Sequence, residues 1–106
     1  MKSYLEDLLD LIKSKKNDDP SVSYTSQLHS KGINEILKKI GEESSETIIA
    51  AKGESNDELI HEIADLWFHC LVLLSAKNLR VEDIINELKS REGTSGIEEK
   101  NNRKIK

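Results

Sequence analysis

The chain has 106 residues, of which 36% are hydrophobic and 34% are charged, and its formal net charge at pH 7 is −4. This length suits one domain, and a thin core under an ionic surface favours sharing that core with a second copy. The acidic balance argues against nucleic acid or an anionic membrane as a partner, so an anionic ligand needs a local cation. The single cysteine, Cys70, excludes an internal disulfide. With no apolar signal segment at the start, we expect a cytoplasmic protein.

The N-terminal segment has the pattern of a short amphipathic helix. Ser3 and Glu6 have the spacing of a capping box. The apolar residues that follow at helical intervals are Leu5, Leu8, Leu9 and Ile12. This pattern predicts a helix over about residues 4–16. Residues 17–32 contain a breaker-rich stretch around Pro20 and have no helical or strand periodicity, so we expect a loop long enough to carry function.

A second amphipathic pattern begins at Ile33. Its apolar spacing predicts a helix that runs to about Lys52 and ends at Gly53. Gly41 lies inside this helix, where glycine costs up to about 1 kcal/mol relative to alanine. We therefore expect another group to approach the backbone closely at Gly41.

The next predicted helix is the most hydrophobic. It should begin with Asn56 or Asp57 as its N-cap and reach about Lys77. Residues 63–74 are apolar nearly all round, which indicates burial on several sides. This segment is the best candidate for a homodimer interface, with a second subunit covering the residues Leu71 and Leu74. Cys70 lies within its apolar stripe and is expected to be a buried core residue.

The C-terminal part combines one short helix with a polar segment. The last helix is predicted from the spacing of Val81, Ile84, Ile85 and Leu88. Residues 93–106 are polar and without periodicity. The sequence therefore predicts an all-α bundle of four to five helices over residues 1–92, with its core shared in a dimer, and a polar tail over 93–106.

Two of the predicted helices each carry a pair of acidic residues three positions apart: Glu43 with Glu46, and Glu62 with Asp65. Residues at this spacing project to the same side of a helix. Each pair lies beside an apolar stripe, so packing of the two stripes would bring four carboxylates together. Their mutual repulsion would destabilise the fold unless a cation is present. Oxygen ligands favour a hard ion such as Mg²⁺, which also binds phosphate oxygens. The pattern predicts a site that binds a diphosphate and activates water.

Two other interpretations of these acids are open from the residues themselves. Glutamate is common on exposed helix faces, so the acids could serve only to solubilise a helical dimerisation module without enzymatic activity. The segment from His61 to Asp65 also approaches the zinc-protease motif H-E-x-x-H. Asp65 stands where that motif requires its second histidine, which argues against a peptidase.

The acidic segments resemble a known signature. Residues 39–47 and 62–66 are similar to the E-E-x-x-E and E-x-x-D motifs of the all-α nucleoside triphosphate pyrophosphatases, a superfamily that includes the MazG-like enzymes. Within it, three further stretches resemble the phosphoribosyl-ATP pyrophosphohydrolase family. These are Ser23-Tyr24-Thr25 with Leu28 and Gly32, residues 62–74 with His69, and residues 93–100. The resemblance covers roughly residues 4–104.

This resemblance implies Mg²⁺-dependent hydrolysis of phosphoribosyl-ATP to phosphoribosyl-AMP and pyrophosphate, the second step of histidine biosynthesis. The small-molecule nucleotide is then the expected partner. Some members carry a cyclohydrolase domain, and the absence of one in this sequence leads us to expect a stand-alone form. A house-cleaning nucleoside triphosphate pyrophosphatase of the same fold is the alternative.

The resemblance also implies roles for individual residues. The expected metal ligands are Glu43, Glu46, Glu62 and Asp65. Glu43 is also expected to be catalytic, together with Glu42, which would act behind the ligands or as a base towards water. Ser23 and Tyr24, in one of the matching stretches, are expected to bind substrate. From the residues themselves, Lys39 and Lys52 are expected to pair with phosphates because they lie within about two turns of the acids, although exposed lysines are usually only solvated. His69 shares the acidic side of its helix and is also expected to bind substrate. For His69, a phosphate contact and a structural hydrogen bond are both open.

Overall fold

A computed structural model describes residues 2–92, and within this range the chain forms five α-helices and no strand. The helices are α1 (Tyr4–Ser14), α2 (Tyr24–Lys31), α3 (Ile33–Lys52), α4 (Asn56–Ala76) and α5 (Val81–Ser90). The predicted all-α fold is confirmed. The segment 93–106, predicted to be a polar tail, lies outside the described residues.

The long helices α3 and α4 form an antiparallel hairpin, the most extensive helix pair in the described part of the chain. Helix α3 ends at Gly53 as predicted. Helix α4 is capped by Ser55, whose Oγ accepts a hydrogen bond from the backbone N–H of Glu58 at 3.3 Å. The predicted N-cap, Asn56 or Asp57, was therefore wrong, because the serine just before them supplies the oxygen that the free N–H groups require.

The hydrophobic core lies where α1, α2 and α5 pack against this hairpin. Its buried residues are Leu9, Ile12, Leu28, Ile36, Leu71, Val72 and Val81. Val72 has no exposed surface, which makes α4 the central helix of the bundle. Partly buried hydrophobic residues, among them Leu8, Ile40 and Phe68, pack around this core.

Helix α2 contradicts the prediction of a loop over residues 17–32. Its N-cap is Ser23, whose Oγ accepts from the backbone N–H of Ser26 at 3.1 Å. The residues that α2 buries are Thr25, Ser26 and Leu28. Because two of the three are polar, the helix has no apolar periodicity to reveal it. Gly32 alone separates α2 from α3, at a φ of +95° that glycine adopts readily and other residues do not.

Three expectations about close packing were wrong. A Cβ at Gly41 would meet no atom of residues 2–92 within 4 Å, so no group in that part of the chain approaches the backbone there. Cys70 is exposed rather than buried, although neighbouring apolar groups desolvate its thiol and raise its pKa. Leu71 is only 6% exposed in the single chain and needs no second subunit to cover it. Which sides of an apolar helix are covered depends on where α1 and α5 lie, and periodicity does not specify this.

Helix α4 is long and apolar enough to cross a membrane by length and composition, with a mean hydropathy of 1.4 over 18 residues, of which 22% are buried. The core helix of a soluble protein meets the same criteria. Helix α4 also carries Glu62 and Asp65, which are costly inside a bilayer. Hydropathy is therefore weak evidence for a membrane span here.

Candidate metal centre

The α3–α4 hairpin brings the predicted acidic residues together. Carboxylate oxygens of Glu43, Glu46 and Glu62 lie within 4.8 Å of one another. A second group, formed by His61, Glu62 and Asp65, has potential ligand atoms equally close together. Glu62 belongs to both groups and therefore links the α3 pair to Asp65. Spacing of three residues aligns each pair on its own helix, and antiparallel packing makes the pairs face each other.

The crowded carboxylates resist ionisation. Burial is the largest cause of the raised pKa of Glu43, followed by the negative charges of Glu46 and Asp65. The pKa of Glu62 is raised to about 7, chiefly through its hydrogen-bonding contact with the carboxyl group of Glu46 and then through burial. Near neutral pH the apoprotein therefore holds a proton that a cation could replace.

Two carboxylate oxygens in this cluster lack hydrogen-bond partners. Oε2 of Glu43 and Oε2 of Glu62 are both shielded from solvent, and neither is paired within the described residues. An unpaired buried oxygen costs free energy, and a bound cation would remove that cost. The donors of the three-glutamate group are all oxygen, as a hard divalent ion such as Mg²⁺ prefers. The residues present therefore fit a divalent metal.

An open cleft of about 470 Å³ adjoins the cluster. Its lining residues are Glu46, Ile49, Ala50, Asp57, Glu58, His61 and Glu62. Since Glu46 and Glu62 line the cleft, a ligand in it would have direct access to a cation held by these acids. The cleft is itself acidic, which makes such a cation necessary for binding a polyphosphate.

Glu42 lies apart from the acids that face α4. Its carboxylate is exposed and lies 3.9 Å from Nζ of Lys38 and 3.7 Å from Nζ of Lys39. At about 100° per residue, Glu42 is turned well away from Glu43 around α3. The structure thus pairs Glu42 with lysines instead of placing it in the cluster.

The two predicted phosphate-binding lysines occupy different environments. Lys39 is partly buried, and its charge acts on the hydroxyl of Tyr24. Lys52 is exposed at the end of α3 and lies on the opposite side of that helix from Glu43, at about 100° per residue. The structure therefore brings Lys39 towards the site but not Lys52.

The remaining predicted substrate-binding residues connect α2 to α4. Ser23 caps α2, and Tyr24 lies in the first turn with its Oη 2.8 Å from Nε2 of His69. His69 is 5% exposed, and its Nδ1 lies 2.8 Å from the backbone oxygen of Asp65. Both ring nitrogens are therefore occupied. Of the two alternatives for His69, the geometry favours the structural hydrogen bond.

Sequence reasoning did not assign a site role to His61. Its Nε2 lies 3.3 Å from Oδ2 of Asp65, and its side chain is 71% exposed at the rim of the cleft. The spacing of four residues between His61 and Asp65 was the available signal, since such residues are neighbours on a helix.

A helical hairpin that gathers carboxylates able to hold a metal ion, beside an open cleft, has the features that an all-α metal-dependent hydrolase requires. Residues 5–92 match the family described as phosphoribosyl-ATP pyrophosphohydrolase, and the chain belongs to this family. Similar proteins, each named phosphoribosyl-ATP pyrophosphatase, come from several bacteria. The protein from Vesicomyosocius okutanii subsp. Calyptogena okutanii (strain HA) is 58% identical over 99 residues, covering 93% of this chain and 91% of the relative. The protein from Methylococcus capsulatus is 46% identical over 101 residues, covering 95% of this chain and 96% of the relative.

Proposed function

We propose that this chain hydrolyses phosphoribosyl-ATP to phosphoribosyl-AMP and pyrophosphate, the second step of histidine biosynthesis. Membership in the family supports the substrate and the reaction class. The observation that carries the chemistry is the group of Glu43, Glu46 and Glu62, with two shielded and unpaired carboxylate oxygens beside a cleft. A bound cation would pair these oxygens and offset the repulsion among the carboxylates.

Mg²⁺ is the cation we propose, held by Glu43, Glu46, Glu62 and Asp65. When bound, it would neutralise the negative charge of the diphosphate and polarise a water molecule. The oxygen-rich donor set and the need for open positions to take phosphate oxygens both support this ion. The imidazole of His61 lies outside the proposed ligand set.

In the reaction, the oxygen of water bonds to phosphorus while the bond from that phosphorus to the oxygen bridging the α and β phosphates breaks. We assign Glu43 to accept the proton that the water loses, because its carboxylate belongs to the same group as Glu46 and Glu62, which line the cleft. Glu42 would contribute to catalysis only indirectly, through its ion pairs with Lys38 and Lys39. No covalent enzyme intermediate is required.

For substrate binding we propose Lys39, Ser23 and Tyr24 at the side of the site nearest α2. Lys39 is the better placed of the two lysines because it shares the side of α3 that carries Glu43. Lys52 would serve only if the substrate extended around the end of α3. His69 acts through its hydrogen bond to Tyr24.

We further propose that the chain acts as a homodimer in the cytoplasm. A continuous apolar groove of about 430 Å³ runs between α4 and α5. Its lining residues are Leu5, Trp67, Cys70, Leu71, Leu74, Val81, Ile84, Ile85 and Leu88. Trp67 and Leu88 are 56% and 54% exposed, so the surface needing cover is centred on them rather than on Leu71. The net charge of −4 argues against nucleic acid or an anionic membrane as the partner instead.

The direct test is pyrophosphate release from phosphoribosyl-ATP and from ordinary deoxynucleoside triphosphates, each with Mg²⁺ and with EDTA. We expect Mg²⁺-dependent release that is selective for phosphoribosyl-ATP. Ca²⁺ should not replace Mg²⁺, because it prefers longer bonds and a more flexible coordination shell. Equal kcat/KM for both kinds of substrate would instead favour a house-cleaning pyrophosphatase, and full activity in EDTA would rule out the metal.

A further inference from the structure

Helix α2 reaches the acid-bearing helix through a hydrogen-bonded chain of three groups. Oη of Tyr24 lies 2.8 Å from Nε2 of His69, and Nδ1 of His69 lies 2.8 Å from the backbone oxygen of Asp65. The histidine is 5% exposed, whereas Tyr24 is 45% exposed. This series of hydrogen bonds therefore connects a buried imidazole ring to a phenol that a ligand can reach.

The direction of these hydrogen bonds follows from chemistry. A carbonyl oxygen only accepts, so Nδ1 of His69 carries the hydrogen in the bond to Asp65. In the neutral ring Nε2 then has no hydrogen and accepts, so Tyr24 donates its hydroxyl hydrogen to His69. The only hydrogen of the phenol is thereby used. What Tyr24 offers to a ligand is an oxygen that accepts hydrogen bonds.

Aromatic neighbours on α4 hold Tyr24 about one helical turn from Asp65. The tyrosine ring stacks on Phe68 at 6.3 Å between centroids and meets the edge of His69 at 5.8 Å. Burial raises the pKa of Tyr24, the charge of Lys39 lowers it, and those of Glu43, Glu35 and Asp65 raise it. Through His69 the hydroxyl is tied to the turn of α4 that begins at Asp65.

We propose that Tyr24 is a specificity-determining residue whose oxygen accepts a hydrogen bond from a ribose hydroxyl of the substrate, and that His69 is the positioning residue that fixes this polarity. A phosphate offers mainly acceptor oxygens and so finds no partner in a phenol whose hydrogen is committed. Tyr24 therefore recognises the sugar part, and the diphosphate depends on the cation and on Lys39. This inference rests on the proposed function, because that function supplies the ribose groups.

The test measures binding of the two products separately by calorimetry, with Mg²⁺ present. For Tyr24→Phe we expect the Kd of phosphoribosyl-AMP to rise about 2- to 10-fold, the range of one neutral hydrogen bond, while the Kd of pyrophosphate stays unchanged. His69→Leu should give the same pattern, and the double variant should be no weaker than either single variant. His69→Gln should rescue binding, because its amide oxygen reaches about as far as Nε2 and accepts from Tyr24.

Several outcomes overturn the assignment. Equal weakening of pyrophosphate and phosphoribosyl-AMP binding in Tyr24→Phe would mean that the phenol contacts phosphate. Unchanged binding of both products would mean that it does not contact substrate. If the effects of the two substitutions on Kd added in the double variant, His69 would not act through Tyr24. Because binding is measured without turnover, a wild-type chain that fails to cleave phosphoribosyl-ATP counts against the proposed function instead, and circular dichroism of each variant checks the fold.

Discussion

Glu46 of α3 and Glu62 of α4 face each other with carboxylate oxygens within 4.8 Å. Their contact is the largest cause of the rise in the pKa of Glu62 from 4.5 to about 7. Glu62 thus binds a proton more tightly in the folded apoprotein than in the unfolded chain. Protons and cations compete for the same oxygens, and stability depends on which of them is present.

The first prediction concerns pH. Between about pH 4.5 and 7 the folded apoprotein binds more protons than the unfolded chain, so its free energy of unfolding falls as pH rises through this window. We expect a lower Tm at pH 8 than at pH 5 in EDTA, and recovery at pH 8 on adding Mg²⁺. Glu62→Gln should flatten the pH dependence. An equally steep dependence in Glu62→Gln would contradict the role of this pair.

The second prediction concerns the ligands. Glu43→Gln or Asp65→Asn should lower kcat at least about 100-fold, because losing a cation ligand removes several kcal/mol of transition-state stabilisation. In EDTA both variants should be folded and at least as stable as the wild type, since one repelling charge is gone. The matched control is Glu54→Gln, at an exposed position between α3 and α4, which should keep wild-type turnover. Wild-type kcat in either ligand variant would remove the metal assignment.

The third prediction concerns assembly. Ile84 lines the apolar groove and is 47% exposed, whereas Ile48 is 62% exposed and lies on α3 outside the groove. Full burial of such a side chain contributes about 1.5–3 kcal/mol, so Ile84→Lys should weaken self-association and Ile48→Lys should not. The wild type should sediment as a dimer at micromolar concentration, with a Tm that rises with concentration. A fully active monomer with a concentration-independent Tm would exclude the dimer.

The fourth prediction concerns the docking of α2. Ser75 is 1% exposed, and its Oγ lies 3.1 Å from Nε2 of His29, whose Nδ1 donates to the backbone oxygen of Thr25. Ser75→Ala leaves Nε2 without its donor and should lower the free energy of unfolding by about 1–3 kcal/mol in urea. The exposed Ser45→Ala should change it by less than about 0.5 kcal/mol. Equal effects of both changes would show that this bond does not hold α2.

Apolar periodicity was sufficient to predict four of the five helices in residues 2–92, because α1, α3, α4 and α5 each bury an apolar side. Helix α2 was missed because it is held by Leu28 together with polar bonds, including Tyr24 to His69 and His29 to Ser75. Such bonds join residues far apart in sequence. The signals that remained were local ones, a serine at the N-cap and Gly32 at the end.

The carboxylate cluster was predictable because spacing along a helix fixes which acids share a side. That Glu43, Glu46 and Glu62 converge required only that two adjacent helices pack through their apolar stripes. The contacts of Glu42 with Lys38 and Lys39 were foreseeable, because residues three and four positions apart are neighbours on a helix. The exposure of Cys70 was not, because it depends on how far α5 covers α4.

The α3–α4 hairpin has a kinetic consequence. Its two helices are joined by the residues 53–55 alone, so their mutual contacts are local in sequence, and local contacts form early in folding. We therefore expect Glu46 and Glu62 to meet already in the folding transition state, before α1 and α5 dock. Any group that neutralises their repulsion lowers the barrier as well as stabilising the native state. We therefore expect Mg²⁺ to accelerate refolding in stopped-flow measurements, so that the concentration of a divalent ion sets how quickly a new chain becomes an enzyme.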